Sequence, residues 1–165
     1  MKTDVKKLAL TGCLAGLALI IFVVEAQLPP FFIPGVKPGL SNVVVLFTIY
    51  SVGRKEAFCV LLIKVILGSV FAGSPISFIF SICGGFLACS VMCLASCILK
   101  DKQIWVCSVL GAVVHNFGQL VAALFVMKTT SVIAYTPYLV IAAIVTGTFT
   151  GIAAMMSVKY VKIRK

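Results

Sequence analysis

Residues 115–119 read His-Asn-Phe-Gly-Gln, in the middle of an apolar run from Ile104 to Met127. The run is long enough to cross a bilayer, so one imidazole and two amides would sit deep in hydrocarbon. At a helix centre the charged side chains cost roughly 2.5–3.5 kcal/mol to insert, and amides and imidazole cost less. Chains keep such groups mainly where they face a cavity, a partner helix or a substrate. His115 is the only histidine in the chain. His115 and Gln119 are four residues apart and stack on one helix face; Asn116 and Gln119, three apart, are also neighbours. The chemistry on offer is directed hydrogen bonding. No second histidine or nearby carboxylate accompanies His115, so a metal centre is not expected there, and no cofactor is expected elsewhere.

Other costly residues lie at similar depth. Lys64 falls about 13 Å into an apolar run that starts at Lys55, close to a bilayer midplane, where snorkelling to the surface is difficult. Glu25 lies near the outer end of the first apolar run. Lys37 and Asn42 flank a segment rich in proline and glycine: Pro29-Pro30, Pro34-Gly35 and Pro38-Gly39. Counted from the cytoplasmic side, His115 lies about 16 Å deep and Gln119 about 22 Å. Glu25, Lys37, Asn42, Lys64, His115, Asn116 and Gln119 thus share the midplane or the outer half, a bias that scattered polar residues would not show. They predict an outward-facing pocket for a small polar or anionic solute, closed by the loop Pro29–Leu40. Lys64, with Lys37, would supply positive charge; the amides and His115 would supply oriented hydrogen bonds. The plainer account of Asn116 and Gln119 is interhelical packing contacts, worth about 0.6 kcal/mol each. For Lys64 it is an internal pair with Glu25.

The elements that must carry these residues are membrane helices. Hydrophobic residues make up 62% of the 165 and charged ones only 11%, with mean hydropathy +1.21, against roughly 25% charged in soluble domains. A soluble fold of this length could not bury so much apolar side chain. Apolar segments predict an all-α membrane protein of one domain with six spans, at about 8–28, 39–53, 55–72, 75–99, 104–127 and 135–158. The second is short: 15 residues reach only about 22 Å, so the preceding loop is expected to dip inward, with Ser41 as the N-cap. Leu8–Val24 exceeds the apolar core of a signal peptide and reads as a retained first helix. With the N-terminus inside, the inner segments hold Lys2, Lys6, Lys7, Arg54, Lys55, Lys100, Lys102, Lys159, Lys162, Arg164 and Lys165. The outer ones hold only Lys37 and Lys128. This asymmetry places both termini in the cytoplasm of a bacterial-type cell membrane.

Several function classes drop out. The net charge of +10 is spread over short segments between spans and not over one basic face, so nucleic acid is not an expected partner. Cys13, Cys59, Cys83, Cys89, Cys93, Cys97 and Cys107 all fall inside apolar runs without a CxxC spacing, which suits small packing residues. Cys89, Cys93 and Cys97 share a helix face beside Met92, for which ordinary packing is preferred to a copper(I) path. Nothing matches GxxxxGK[ST], so ATP energy would have to come from partner subunits. A channel is disfavoured because one charged midplane residue makes no ring. Gly12-x-x-x-Gly16 and Gly147-x-x-x-Gly151 are spacings that let helices approach closely; Gly12 and Gly16, with Ala9 and Ala15, could serve either internal packing or a partner protein.

Pro34-Gly35-Val36-Lys37-Pro38-Gly39-Leu40-Ser41-Asn42, Leu67-Gly68-Ser69, Ser81-Ile82-Cys83-Gly84-Gly85 and Gly111–Gln119 together resemble the Gx transporter family, also labelled heptaprenyl diphosphate synthase component I. The resemblance spans almost the whole chain. Pro38 stands where the family pattern carries an aliphatic residue. Lys64 stands where it often has arginine; the lysine keeps the charge but loses the bidentate fork. The family is similar to the substrate-binding S components of energy-coupling factor transporters. That resemblance implies an S-component-like six-helix bundle, a lid loop between helices one and two and a solute pocket on the outer side. It also implies a small-residue face on the first helix toward a membrane coupling subunit, with ATPase subunits beyond. The second label implies instead a non-catalytic membrane component of a prenyl synthase or another lipid or redox enzyme. Such synthases hold magnesium through aspartate clusters, whereas Asp4 and Asp101, the two aspartates here, are far apart. Catalysis by this chain is not expected.

Overall fold

The computed structural model describes residues 2–27, 39–73 and 75–161. Lys37 and nearly all of the expected lid loop lie outside the described residues. Six α-helices follow one another: α1 (Lys2–Gln27), α2 (Asn42–Ser51), α3 (Arg54–Ala72), α4 (Pro75–Ala95), α5 (Ile104–Met127) and α6 (Thr136–Tyr160). Short 3₁₀ turns at Asp101–Gln103 and Thr130–Tyr135 lead into α5 and α6. Among the described residues there is no strand.

Four of these segments are long and apolar enough to cross a membrane: Val5–Gln27, Pro75–Ala95, Asp101–Met127 and Thr130–Tyr160. The protein is a helical membrane protein. The short apolar helix α2 has 10 residues, about 15 Å, so the helical part of the expected 39–53 segment is shorter still than its apolar stretch. α3 has 19 residues but starts Arg54-Lys55-Glu56 and carries Lys64. It ends at Gly73, whose φ of +60° makes the left-handed cap that favours glycine, and Pro75 then opens α4. The fourth expected segment stops being α-helical at Ala95 and not at Leu99.

Successive helices alternate in direction, and three contacts collect their basic ends. Lys7 at the start of α1 pairs with Glu56 at the start of α3 at 2.6 Å. Arg54 Nε–H donates to Ser96 Oγ just beyond α4 at 3.2 Å. Tyr50 O–H near the end of α2 donates to the Leu99 carbonyl at 3.2 Å. Asp101 and Lys102, before α5, line a common recess with Lys159 and Tyr160 at the end of α6. Lys6, Lys7, Arg54, Lys55, Lys100, Lys102 and Lys159 therefore gather at one end of the bundle.

Close backbone contact fixes the α4–α5–α6 side. A Cβ on Gly147 would lie 2.8 Å from Val109 Cα, and one on Gly151 would lie 2.6 Å from Trp105 Cα. The Gly147-x-x-x-Gly151 spacing thus does what was expected of it. A Cβ on Gly118 would lie 2.9 Å from Gly84 Cα, which draws α4 against the polar stretch of α5. Gly12 and Gly16 meet nothing within 4 Å and face outward with Ala9. Ala15 does not belong to that face. It is buried with Leu14 and Ala18, a 100° step round the helix from Gly16. Cys89 and Cys93 are buried in the same core as Val45, Leu61 and Cys107, whereas Cys97 is exposed. Large side chains such as Phe71, Phe125, Ile141 and Phe149 are exposed, an apolar surface suited to lipid.

Candidate functional site

The polar site forms where the chain enters α2. Gly39 has φ +78°, and a Cβ there would lie 3.0 Å from Asn42 Nδ2 and 3.3 Å from His115 Cδ2. Glycine lets the backbone bend left-handed and pass beside both groups. The entry carries successive amides with no intrahelical partner, and these turn toward α1. Glu25 accepts from the N–H groups of Gly39, of Leu40 at 3.0 Å and of Ser41 at 3.3 Å. A buried carboxylate held by three amides is well placed at the positive end of a helix. Ser41 occupies the N-cap position, as expected, but its side chain makes no capping bond; the N–H groups of Asn42 and Val43 bond to the Gly39 and Leu40 carbonyls, and Glu25 holds the turn that precedes the helix.

Lys64 reaches the same entry from α3. Its Nζ donates to Ser41 Oγ at 2.9 Å and to Asn42 Oδ1 at 2.7 Å. The second bond settles the orientation of the Asn42 amide, so Asn42 Nδ2 is the atom that lies 3.4 Å from His115 Nδ1. Since an amide nitrogen can only donate, His115 Nδ1 accepts and its ring proton sits on Nε2. A chain of polar contacts thus runs from α3 through α2 to α5. Lys64 is only 2% exposed, so it does not snorkel.

Glu25, Ser41, Asn42, Lys64, Ser81 and His115 line one cavity of about 10 Å³, walled on its apolar side by Phe22, Leu61 and Val65. That volume holds about one water. Gln119 lies one turn beyond His115 with 0% exposure, and neither its Oε1 nor its Nε2 has a hydrogen-bond partner among the described residues. Its side chain passes Gly84, where a Cβ would lie 2.9 Å from Gln119 Cγ.

Of the expected site residues, Glu25, Asn42, Lys64 and His115 come together, with Gln119 one turn away. Asn116 turns aside: its Nδ2–H donates to the Leu139 carbonyl at 2.9 Å, tying α5 to α6. That bond supplies the packing role that was the plainer account of Asn116. One residue on from His115 is a 100° rotation, enough to face another helix. Ser41 and Ser81 also belong to the cavity wall and were not among the expected ligands. The signal for both was their position inside the PGVKPGLSN and SICGG blocks. Among the described residues no group of three or more metal-ligating side chains gathers.

Helical spans around a buried, closed polar cluster define a polytopic membrane protein with an internal polar site. The family model described as heptaprenyl diphosphate synthase component I matches residues 14–157, and the chain belongs to that family. No curated protein and no solved structure matches it.

Proposed function

We propose that the protein is the solute-capturing membrane subunit of an uptake system, with six spans, cytoplasmic termini and a site open by turns to the outer side. Energy would come from a coupling subunit and ATPase subunits, as in the transporters whose S components the sequence resembles. The observation that carries this reading is Gln119. A buried donor or acceptor left unpaired costs about 1–3 kcal/mol, and this amide leaves both ends unpaired one turn from a cationic, hydrogen-bonding cavity. A bound solute with donor and acceptor groups would repay that cost. Ligand pockets measure roughly 300–1,000 Å³, far more than the present cavity, so binding requires the α2 entry to move away from Glu25 and Lys64. In this reading the two residues latch the site.

A second reading follows from the family description: a non-catalytic membrane component beside a soluble prenyl synthase. Native mass spectrometry of protein purified in mild detergent tests the first. A retained small solute, lost in Lys64→Ala and Gln119→Ala while both variants remain folded and inserted, is the expected result. Unchanged solute retention in both variants would sink the pocket assignment. Copurification separates the readings: ATPase and coupling subunits favour uptake, and a soluble synthase favours the accessory role.

A further inference from the structure

The end of the bundle opposite the polar site holds a much larger cleft that neither reading uses. It has a volume of about 1030 Å³ and lies between the α2–α3 turn and the α4–α5 connection. Arg54, Lys100 and Lys102 line it, with Asp101 as the only carboxylate among its lining residues. Two cross-connections brace its walls, Tyr50 to the Leu99 carbonyl and Arg54 Nε–H to Ser96 Oγ. The second holds the guanidinium by one edge, and the Arg54 terminal nitrogens make no hydrogen bond to any described residue. Glu56, the nearest acid in sequence, is engaged by Lys7. A braced guanidinium with its fork free and two ammonium groups alongside suit the oxygens of a phosphate.

Beside these charges and the polar Tyr50, Ser96 and Gln103, the cleft has an apolar part. Ile49 and Val52 lie in the wall, and Ile98 stands at the cleft, 82% exposed. Leu94, one turn earlier on α4, is 69% exposed. A phosphate in the cleft would therefore have an apolar track leading from it along α4 into the membrane. Basic recesses between helices at a membrane surface take anionic headgroups, and this one offers a place for the chain as well. We infer that the cleft between the α2–α3 turn and the α4–α5 connection binds the phosphate group of an anionic lipid, with Arg54 as the fork and Ile98 and Leu94 along the acyl chain. It lies at the other end of the helices from the solute site, so each can fail without the other.

The test is native mass spectrometry of protein released from nanodiscs of equimolar phosphatidylglycerol and phosphatidylcholine, with separate titrations of inorganic phosphate and pyrophosphate in detergent. Wild type should retain phosphatidylglycerol preferentially. Arg54→Gln should lower that retention about fivefold, and Lys100→Gln/Lys102→Gln about thirtyfold, at roughly fivefold per basic charge. The double variant changes only exposed side chains, so it keeps the test valid if Arg54→Gln misfolds. Lys159→Gln, at the same end but outside this cleft, should retain lipid as wild type does. Equal losses in Lys159→Gln and Arg54→Gln, or no lipid preference and no phosphate binding in wild type, would overturn the site. Pyrophosphate binding that depends on Lys100 and Lys102 without lipid retention would support the phosphate site and assign it to a soluble ligand.

Discussion

Glu25 on α1 and Lys64 on α3 meet at Ser41 and between them hold the four-residue stretch 39–42 from two helices. The carboxylate takes the amides of Gly39, Leu40 and Ser41, and the ammonium takes the side chains of Ser41 and Asn42. Neither contact is with the rim of a bulk-water pocket; both fix how the backbone enters α2. This is the main difference from a pair of solute ligands; in the proposed uptake reading it makes the α2 entry the element that must move.

Glu25→Gln keeps the size of the side chain and removes its charge. Hydrogen bonds to charged groups are worth about 1.5–3 kcal/mol, and an amide retains only part of this. The variant should lose about 1–2 kcal/mol of stability in a denaturant titration. Backbone amides at Gly39–Ser41 should exchange with deuterium faster than in wild type while those of α5 are unchanged. Uniform acceleration across the protein would show that Glu25 supports the whole fold and not this entry.

The glycine pairs make a second contrast. Gly151 has the backbone of Trp105 where its Cβ would be, so Gly151→Val must push α5 and α6 apart. Overpacking of this kind costs about 1–3 kcal/mol or more. Gly12 faces open space, so Gly12→Val should change the stability of the isolated protein by less than about 0.5 kcal/mol. Thermal unfolding in one detergent compares the two. If Gly12→Val also loses copurifying membrane subunits, its outward face serves a partner.

Orientation has a direct check. Lys128 caps α5 at the end away from the basic cluster, and Lys100 lies within that cluster. In whole cells, Lys128→Cys should react with a membrane-impermeant maleimide in a background without the native cysteines. Lys100→Cys should react only after permeabilisation. The reverse pattern would invert the topology and place the polar site on the cytoplasmic side.

The helices, and the gathering of the basic residues at one end of the bundle, were legible because hydropathy and basic residues vary on the scale of whole spans. Helical spacing likewise brought His115 and Gln119 to one face. What it did not resolve was direction within a single turn. Ala15 sits among Gly12 and Gly16 in sequence yet faces the core, and Asn116 adjoins His115 yet bonds to α6. Those outcomes depend on which neighbour lies at each angle, which only the packed bundle decides. Glu25 was legible as a buried acid but not as the holder of the α2 entry, since the amides it binds are 14 to 16 residues away. Ser41 looked like the natural cap by type and position, yet its hydroxyl accepts from Lys64, and the first α2 amides bond to the Gly39 and Leu40 carbonyls.

Gln119 separates stability from function most cleanly. Its amide is wholly buried and unpaired at both ends, so in the closed protein it contributes desolvation cost and no hydrogen bond. Replacing an unsatisfied buried polar group with an apolar one of similar shape is neutral or stabilising. Gln119→Leu should therefore unfold at the same temperature as wild type or higher, by up to about 1–2 kcal/mol, and should lose the retained solute. His115→Leu should behave differently, because its ring already contacts Asn42 and its loss leaves the Asn42 amide without that acceptor. A destabilised Gln119→Leu variant would mean that the amide has packing or bonding value in the closed state. The argument that it waits for a ligand would then fail.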